Sequence, residues 1–469
     1  MNLLTKYLKD NPTPDIGTVA FLANLENVRE ASPIIADAIV SELKDQRTHL
    51  KLIASENFCS LAVQSAMGNL LTDKYAEGYP NNRFYAGCQN VDTIEAEAAR
   101  LACELFGAEH AYVQPHSGAD ANLVAFLAIL MHKIGKPFSE AREEYQNQKM
   151  MALDLSSGGH LTHGYKLNAS SLMFDIYSYS VEEDTHLLDL DKIRKQALEV
   201  KPLILLAGYS AYPRHIDFSK LREIADEVGA VLMVDMAHFS GLVAGGAFSG
   251  VHNPVPYAHV VTSTTHKTLR GPRGGMVLCK KEFAEFVDKG CPSVLGGPLP
   301  HIMAAKAIAF KEALSPDFKA YAKNIIVNSG ALARALVEKG VSIITGGTDN
   351  HLILMDVSTT YGLTGRQAES ALRAGGVTLN RNAVPFDTNG PWYTSGLRLG
   401  TPALTTLGMG VGEMEEVAGI IHSILSKTSP VGTSLAKYDV GEEVLVSTKA
   451  RVEGLLARFP LYSGIPYEL

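Results

Sequence analysis

Between about Leu50 and Ser315, short apolar runs alternate with segments that have the periodicity of amphipathic helices. Four of the apolar runs end in polar residues, as in AYVQP, LILLAGYSAYP, GAVLMVDMAH and AHVVTSTTHK. Alternating strand and helix patterns are typical of a mainly parallel sheet with helices packed on its faces. Ligands of such sheets bind beyond the carboxyl ends of the strands, where these polar residues would lie. The pattern therefore predicts an α/β domain with a ligand site at one edge of the sheet.

The pattern changes after ALSPDF, near Pro316. A long helical stretch is followed there by the alternating runs VSIITGG, HLILMDVS and GVTLNRNAV, which indicate a smaller α+β domain. The chain has 469 residues, and a single core stops growing at roughly 250–300 residues. We therefore predict an N-terminal arm (residues 1–48), a large domain (49–315) and a small C-terminal domain (316–469).

Four local features are also predicted. A helix should begin at Ser32-Pro33, because proline is favoured in the first helical turn. The helix in DFSKLREIADEVGA should have Ser219 as N-cap and end at Gly229. The run LVAFLAILM should be a buried helix, since it is about half the length of a membrane span. The charged, weakly periodic segment 133–150 should be a surface excursion.

Composition and charge favour small-molecule ligands. The chain is 46% hydrophobic and 20% charged, as in soluble globular proteins. Its net charge of -8 gives no general attraction for nucleic acid or an anionic membrane. The five cysteines are scattered and contain no C-x-x-C pair, which argues against a disulfide framework and a zinc site. With no apolar core of a signal peptide at its start, the sequence predicts a cytoplasmic protein.

The stretch VVTSTTHKTLRGPRGG places Lys267 directly behind one of the apolar runs. Most lysines are solvated surface charges, and that interpretation stays open here. Partial burial and the neighbouring His266, Arg270 and Arg273 would instead lower the pKa of the amine and make it a nucleophile. A lysine of this kind suits Schiff-base chemistry, as with a carbonyl substrate or pyridoxal phosphate (PLP).

Asp235 ends the apolar run AVLMVD, and His238 follows three residues later. A carboxylate at this point can be a metal ligand, a structural cap or the partner of a protonated pyridine nitrogen. Asp-x-x-His alone is a weak metal pattern, so we predict no metal site. If Asp235 held a protonated pyridine nitrogen and His238 lay near the ring, one ligand would account for both residues.

The segment HSGADAN precedes an apolar helix pattern. Ser117 and Gly118 would lie at the helix start, where free backbone N–H groups and the helix dipole favour a phosphate. Ser-Gly before a helix also occurs as simple capping. The chain has no G-x-x-x-x-G-K-[ST] and no strand-associated G-x-G-x-x-G, which counts against nucleoside triphosphates and dinucleotides.

Three further segments carry polar groups with more than one interpretation. In GGHLTHG, His160 and His163 could bind a metal, His160 could stack on a cofactor ring, or both could be ordinary loop residues. The loop KYAEGYPNNRFYAG offers Glu77 as an acid or base, with tyrosine hydroxyls beside it, or packs against another subunit. In SGLRLGTPA, the guanidinium group of Arg398 could bind a substrate carboxylate bidentately or make a surface ion pair.

Taken together, these segments closely resemble the serine hydroxymethyltransferase family, whose members are PLP enzymes with the fold of aspartate aminotransferase. The resemblance runs from about Leu52 to Pro402. It implies a seven-stranded, mainly parallel sheet in the large domain, with PLP as cofactor and tetrahydrofolate as co-substrate. The implied reaction is reversible transfer of the hydroxymethyl carbon of serine to tetrahydrofolate, giving glycine and 5,10-methylenetetrahydrofolate. The matching segments, in the family's order, are LIASENF, KYAEGYPNNRFYAGC, VQPHSG, GGHLTHG, GYSAYP, VDMAHFSGLVA, TSTTHKTLRGPRGG, GGPL, GGTDNHL and SGLRLGTPA.

The resemblance also implies roles toward the cofactor. Lys267 would carry PLP as a Schiff base, Asp235 would hold the pyridinium, and His160 would stack on the ring. The other cofactor-binding residues would be His238 and Ser210 on the phenolic oxygen side, Thr264 and His266 near the phosphate with Ser117 and Gly118, and Tyr75 and Gly297. The implied catalytic set is Lys267, Glu77, His266, Asp235 and Thr264.

The resemblance also implies roles toward the substrates: Arg398 and Ser55 would bind the amino-acid carboxylate, and Glu77 would take part in proton transfer. Arg273 would be a cation that shapes the site. The folate pocket would be lined by Leu155, Gly159 and Asn382. A homodimer with shared active sites is implied, because the neighbouring subunit would supply Tyr75, Glu77, Tyr85, Gly296 and Gly297.

The sequence departs from the family pattern in several places, including the run CPSVLGGPL and three single residues. Ala119 stands where a phosphate-binding serine is usual, Asp120 replaces a glutamine, and Phe84 replaces a tyrosine. A folate-independent PLP enzyme, such as an aldolase or a racemase, is therefore an alternative function. A non-catalytic binding protein is a third hypothesis, and the retained Lys267 and Asp235 argue against it.

Overall fold

A seven-stranded sheet forms the centre of the large domain. In this computed structural model, which describes residues 2–134 and 147–466, six strands run parallel and only the strand Gly275–Cys279 runs antiparallel to its neighbours. The predicted α/β fold class, with its mainly parallel sheet, is confirmed. In chain order the strands are β1 (His110–Tyr112), β2 (Lys149–Leu153), β3 (Asp175–Tyr179), β4 (Ile204–Gly208), β5 (Val231–Asp235), β6 (Val260–Thr264) and β7 (Gly275–Cys279).

The order across the sheet is β1-β7-β6-β5-β4-β2-β3. Strands β4 to β7 are buried at every position, as expected for a sheet that has helices on both faces. One apolar cluster fills each face of the sheet, with Leu232 and Val234 in one and Val231 and Met233 in the other. The parallel strands β4, β5 and β6 end side by side, which brings together the polar residues that follow them.

Helices and short turns connect these strands. The helix Phe218–Val228 ends at Gly229, whose φ of 72° is the left-handed conformation that glycine adopts readily. The predicted N-cap Ser219 is wrong, because the Asp217 carboxylate accepts the backbone N–H groups of residues 219 and 220. The α-helices of the large domain are Leu61–Met67, Gln89–Phe106, Gly118–Ile134, Ala169–Met173, Leu190–Val200, Phe218–Val228, Ser240–Ala244, Lys281–Asp288 and Pro300–Ala313. The shorter elements there are the 3-10 turns Leu70–Asp73, Leu155–Ser157, Leu161–His163 and Gly250–His252, the π-helical turn Cys291–Leu295, and the strand pair Gly78–Tyr79 and Asn82–Arg83.

The C-terminal region contains a four-stranded antiparallel sheet. Its strands are β8 (Ser342–Ile343), β9 (Leu352–Asp356), β10 (Asn380–Asn382) and β11 (Gly396–Gly400), in the order β8-β9-β11-β10. Helices and a separate apolar cluster accompany the sheet, as the α+β pattern predicted. Its helices are Pro316–Val337, Val357–Tyr361, Gly365–Ala374, Gly390–Tyr393, Pro402–Thr406, Val411–Leu425 and Glu442–Arg458, with the 3-10 turn Ile344–Gly346 and the strand pair Thr428–Pro430 and Tyr438–Val440.

The N-terminal region is helical, with helices Leu3–Asp10, Ile16–Ala31 and Pro33–Thr48. The predicted helix start at Ser32-Pro33 is confirmed. The next strand, Leu50–Lys51, pairs in parallel with Val377–Thr378, so the chain contacts the C-terminal region before it reaches the seven-stranded sheet. The predicted domain bounds at 48 and 315 stay predictions.

Two further sequence predictions concern exposed or apolar segments. The run Leu123–Met131 lies in the helix Gly118–Ile134 and is largely buried, as predicted. Most of the predicted excursion 133–150 lies outside the described residues. Within residues 2–134 and 147–466, none of the helices has both the length and the apolarity needed to cross a membrane.

Candidate functional site

The carboxyl ends of β4, β5 and β6 open onto a cavity of about 290 Å³. The predicted lysine, aspartate and helix start all lie on its wall, although the chain separates them by up to 150 residues, from Ser117 to Lys267. The site predicted from strand polarity is therefore assembled as a cavity. Its lining residues are Ser55, Glu56, Ser117, Gly118, Ala119, His160, Tyr209, Ser210, Asp235, Ala237, His238, Thr264, His266, Lys267 and Arg273.

Asp235 at the end of β5 is held by three hydrogen-bond donors. Its carboxylate accepts from Asn122 Nδ2 at 2.9 Å, from His163 Nε2 at 3.2 Å and from the backbone N–H of Ala237 at 3.0 Å. Burial on its own would raise the pKa of this carboxyl, but the hydrogen bond and charge of His163 outweigh it and hold the pKa well below its usual range. The cavity therefore contains a fixed carboxylate charge.

Lys267 follows β6 and directs its amine into the same cavity. Its Nζ donates to Thr264 Oγ1 at 3.2 Å. Burial lowers the pKa of Lys267 to about 8, and the positive charges of Arg398 and Arg273 act in the same direction against the attraction of Asp235. An amine with this pKa is partly neutral near pH 8, which is the form that attacks a carbonyl carbon.

The position of Lys267 is fixed through its backbone. Asn57 donates to the Lys267 carbonyl at 2.9 Å and to the Tyr321 hydroxyl at 2.6 Å. The Tyr321 hydroxyl in turn donates to the carbonyl of Thr268 at 3.1 Å. Sequence analysis did not identify Asn57, although it lies within the matched segment LIASENF.

The start of the helix Gly118–Ile134 forms the next wall. Ser117 Oγ accepts the backbone N–H of Asp120 at 3.1 Å, so this serine caps the helix. A Cβ on Gly118 would lie 2.7 Å from Thr264 Cγ2, and the absence of a side chain therefore lets the helix start approach β6. The first N–H groups of a helix have no acceptor within the helix, so this wall favours an anion.

His266 lies beside that wall. Its Nδ1 is buried and has no hydrogen-bond partner within residues 2–134 and 147–466. Burial, followed by the charges of Lys267 and Arg273, lowers the pKa of His266 to about 3. The ring is therefore neutral at physiological pH and offers an unused nitrogen next to the cavity.

His160 and His163 both lie close to Asp235, with their ring centroids 5.7 Å apart. The His160 ring lines the cavity, and its Nδ1 is 2.7 Å from Thr162 Oγ1. His163 is buried and bonds to Asp235, so the two histidines have different environments. Side-chain atoms of His160, His163 and Asp235 that could bind a metal lie within 4.8 Å of one another. Asp235 is therefore a third potential metal ligand beside the two histidines, which the sequence pattern did not supply. The Asp235 carboxylate, however, already accepts from three donors.

A second cavity of about 420 Å³ adjoins the first and shares Ser55, His160, Ser210, His238 and Lys267 with it. The predicted folate-pocket residues and the predicted carboxylate-binding arginine lie here and not in the first cavity. Its lining residues are Ser55, Leu155, Gly158, Gly159, His160, Leu161, Ser210, Ala211, His238, Lys267, Arg381, Asn382, Ala383, Pro391, Thr394 and Arg398.

Arg398 on β11 reaches from the small domain to this cavity. It donates to the Ser210 carbonyl at 2.8 Å and to Asn380 Oδ1 at 3.2 Å. Burial lowers the pKa of Arg398 to about 10, so the guanidinium stays charged at neutral pH. Within the described residues no carboxylate forms an ion pair with it, so the surface ion-pair interpretation fails and its charge is available to a ligand.

The tyrosine-rich loop forms a separate cluster. The Tyr75 hydroxyl donates to Glu77 Oε1 at 3.3 Å, and the rings of Tyr75 and Tyr85 pack edge to face. A Cβ on Gly297 would lie 3.1 Å from the Tyr75 ring, so the GGPL segment belongs to this cluster as well. Over the described ranges, none of these residues lines either cavity of its own chain.

Sequence analysis missed Asn122 and His351. Asn122 is fully buried and lies one helical turn after Gly118, so it faces the same side of the helix. A polar residue four positions after a helix-start motif, within an otherwise apolar helix, is the signal that could have identified it. His351 lies in GGTDNHL, and its Nε2 is 3.2 Å from Nδ1 of His238.

The fold and the two cavities are those of an α/β enzyme. A nucleophilic lysine and a fixed carboxylate share a cavity at the strand ends of a mainly parallel sheet, as in α/β enzymes that use carbonyl chemistry. A family model described as serine hydroxymethyltransferase matches residues 28–421. The chain belongs to the serine hydroxymethyltransferase family, and the resemblance found in the sequence is confirmed.

Curated relatives match over nearly the whole chain. The serine hydroxymethyltransferase of Treponema pallidum is 60% identical over 466 residues, which cover 95% of this chain and 81% of the relative. That of Cutibacterium acnes is 53% identical, with 95% of each chain covered. That of Chlamydia trachomatis serovar D is 50% identical over 493 aligned positions, covering 100% of this chain and 99% of the relative.

Proposed function

We propose that this chain transfers the hydroxymethyl carbon of serine reversibly to tetrahydrofolate, with PLP as cofactor, giving glycine and 5,10-methylenetetrahydrofolate. Family membership supports the reaction. The observation that carries the proposal is the joint placement of Lys267 and Asp235 on one cavity, with Arg398 on the cavity beside it. These groups supply an amine for the aldehyde of PLP, an anion for its ring nitrogen, and a cation for the carboxylate of serine.

The residues on the first cavity fit PLP. The helix start at Ser117 and Gly118 offers N–H groups to its phosphate, and His266 has a buried nitrogen beside that wall with no partner among the described residues. Gly118 lets the helix start pack directly against Thr264 on this wall, since a Cβ there would lie 2.7 Å from Thr264 Cγ2. The proposed cofactor-binding roles of His160, Ser210 and His238 agree with their positions on the cavity lining.

PLP, when bound, serves as an electron sink for the carbon atoms next to the amino group. Asp235 would keep the ring nitrogen protonated, because its carboxylate is anionic and cannot move away from its three donors. Lys267 would hold the cofactor through its amine and later accept or return a proton at Nζ, within reach of Thr264 Oγ1.

Arg398 would bind the serine carboxylate bidentately and so orient the amino acid against the cofactor. Its guanidinium is already directed toward the cavity by the Ser210 carbonyl and Asn380. Ser55 lines both cavities and would assist. The second cavity would accept tetrahydrofolate, with Leu155, Gly159 and Asn382 on its wall.

We further propose a homodimer in which each subunit completes the site of the other. The cluster of Tyr75, Glu77 and Tyr85 has exposed aromatic rings and a carboxylate with no task in its own chain's cavities. From a neighbouring subunit, Glu77 would handle the proton of the serine hydroxyl and Tyr75 would contact the cofactor. A cytoplasmic location is proposed on the reduced state of all five cysteines, since a reducing compartment keeps thiols free.

The test is a serine assay with tetrahydrofolate titrated in the presence of PLP. We expect glycine formation to rise with tetrahydrofolate and saturate, and Lys267→Ala to abolish it. Lys281→Ala, at an exposed lysine, is the matched control and should retain full activity. Glycine formation at the same rate with and without tetrahydrofolate would indicate a folate-independent PLP enzyme. Absence of both turnover and PLP binding in the unmodified protein would point to a non-catalytic relative.

A further inference from the structure

His238, which lines both cavities, forms a buried pair of imidazole rings with His351, which lines neither. His238 is 3% exposed and His351 is fully buried. Their rings are stacked, and His238 Nδ1 lies 3.2 Å from His351 Nε2. Burial is the main cause that lowers the pKa of His238 far below its usual value, and the positive charges of Lys267 and Arg398 add to it. The same causes lower the pKa of His351 to about 3. Both rings are therefore neutral near pH 7, and each carries one N–H.

Two arrangements of protons satisfy this contact. In the first, His351 Nε2–H donates to His238 Nδ1, and the second N–H of the pair lies on His238 Nε2. In the second, His238 Nδ1–H donates to His351 Nε2, and the remaining N–H lies on His351 Nδ1. The heavy-atom positions are the same for both, so the surroundings of the other two nitrogens decide between them.

Those surroundings differ. His351 Nδ1 is buried and has no hydrogen-bond partner anywhere in residues 2–134 and 147–466. A buried N–H without an acceptor is among the rarest features of native proteins, so the second arrangement is disfavoured. His238 lines both cavities, and its Nδ1 is turned to His351, which leaves Nε2 as the ring nitrogen free for a ligand.

We propose that His351 is a positioning residue that fixes the tautomer of His238, so that His238 offers an Nε2–H donor, and not a lone pair, to the cavity. Both rings are held in place through their backbones. The His238 carbonyl accepts from Thr268 Oγ1 at 2.9 Å, and the His351 carbonyl accepts from the Thr401 N–H at 3.1 Å. A fixed donor would suit an oxygen that carries negative charge in the bound ligand, and this last step rests on the proposed function.

The structure supplies internal references for a direct test. His259 Nδ1 accepts the backbone N–H of Leu232 at 2.9 Å and so must be unprotonated in the neutral ring. His252 Nδ1 faces the Ile216 carbonyl at 3.0 Å, which only accepts, so this nitrogen must carry the proton. The two rings give the two opposite tautomers within one protein.

The experiment is ¹⁵N NMR of the protein without cofactor, labelled at its histidine rings, with His238→Gln, His351→Gln, His252→Gln and His259→Gln used for assignment. We expect the ring nitrogens of His238 and His351 to give the pattern of His259, with Nε2 protonated and Nδ1 not. The pattern of His252 at either ring would overturn the proposal. This readout involves no PLP, so it stands or falls separately from the proposed function.

A second measurement uses His351→Leu, which removes the donor. We expect the His238 ring to lose its single tautomer and PLP affinity to fall about tenfold, the value of one hydrogen bond. His259→Leu, at a half-buried histidine that lines neither cavity, controls for loss of an imidazole ring and should leave PLP affinity unchanged. An unchanged single tautomer in His351→Leu would contradict the role given to His351. If that variant does not fold, the spectrum of the unmodified protein still decides.

Discussion

Asn122→Ala should weaken both the fold and the cofactor site, because one amide serves three buried partners. Asn122 Nδ2 donates to Asp235 at 2.9 Å and to Thr162 Oγ1 at 2.7 Å, and its Oδ1 accepts from Thr262 Oγ1 at 2.6 Å. The amide is fully buried, so water cannot easily replace it. The variant leaves two hydroxyls and a carboxylate each without one partner.

The magnitude follows from these three bonds. A hydrogen bond between neutral groups contributes roughly 0.5–1.5 kcal/mol to stability, and one to a charged group roughly 1.5–3 kcal/mol. Two of the first kind and one of the second give a loss of about 2.5–6 kcal/mol in the free energy of unfolding. Asp235 also loses a donor to its charged form, which raises its pKa and weakens its hold on a protonated ring nitrogen.

Urea unfolding of the protein without cofactor measures the first effect, and PLP titration measures the second. Thr262→Val is the matched control, since it removes one hydroxyl and keeps both N–H bonds of Asn122. We expect it to cost about 1 kcal/mol and to leave PLP affinity nearly unchanged. If Asn122→Ala costs no more than Thr262→Val, the reasoning about the shared amide is refuted.

Three further predictions concern the cavity. Ala119→Ser adds a hydroxyl to the wall at the helix start, so PLP should bind roughly tenfold more tightly through one charge-assisted hydrogen bond. Titration of the protein without cofactor measures this affinity, and equal or weaker binding would contradict the prediction. The rate of PLP uptake should rise with pH and level off above about 8, because the lowered pKa of Lys267 makes the neutral amine available there; a rate that still rises toward pH 10 would show an unperturbed amine. Arg398→Ala should lower kcat/KM for serine by about 10²–10³-fold through loss of the carboxylate contact, with Arg398→Lys intermediate; an unchanged kcat/KM would place the carboxylate elsewhere.

The sequence predicted the sheet and the edge that carries the site because both depend on local patterns. Asp235 and Lys267 each follow a buried strand, and parallel neighbouring strands bring such positions together. The predicted N-cap Ser219 failed for a local reason: Asp217 lies two residues earlier and accepts two backbone N–H groups with one carboxylate oxygen. Two suitable capping residues so close together leave the helix start uncertain by two positions.

The contacts that tune the site were not predictable in the same way. Asn122 and Asp235 are 113 positions apart, as are His238 and His351. Whether such pairs meet depends on how each helix rotates against the sheet and on how the small domain packs, which no local pattern encodes. The positions of Glu77 and its tyrosines relative to a second subunit lie outside a single chain, so that role stays a proposal.

Borohydride reduction followed by peptide mass mapping identifies the amine that holds PLP, which we propose to be Lys267. Reduction makes the link between PLP and its lysine permanent. We expect the added mass on Lys267 alone, since Lys306, the other deeply buried lysine near β7, already donates to the carbonyls of Val113, Pro115 and Gly275. The added mass on Lys306 or any other lysine, with Lys267 unmodified, would contradict the account.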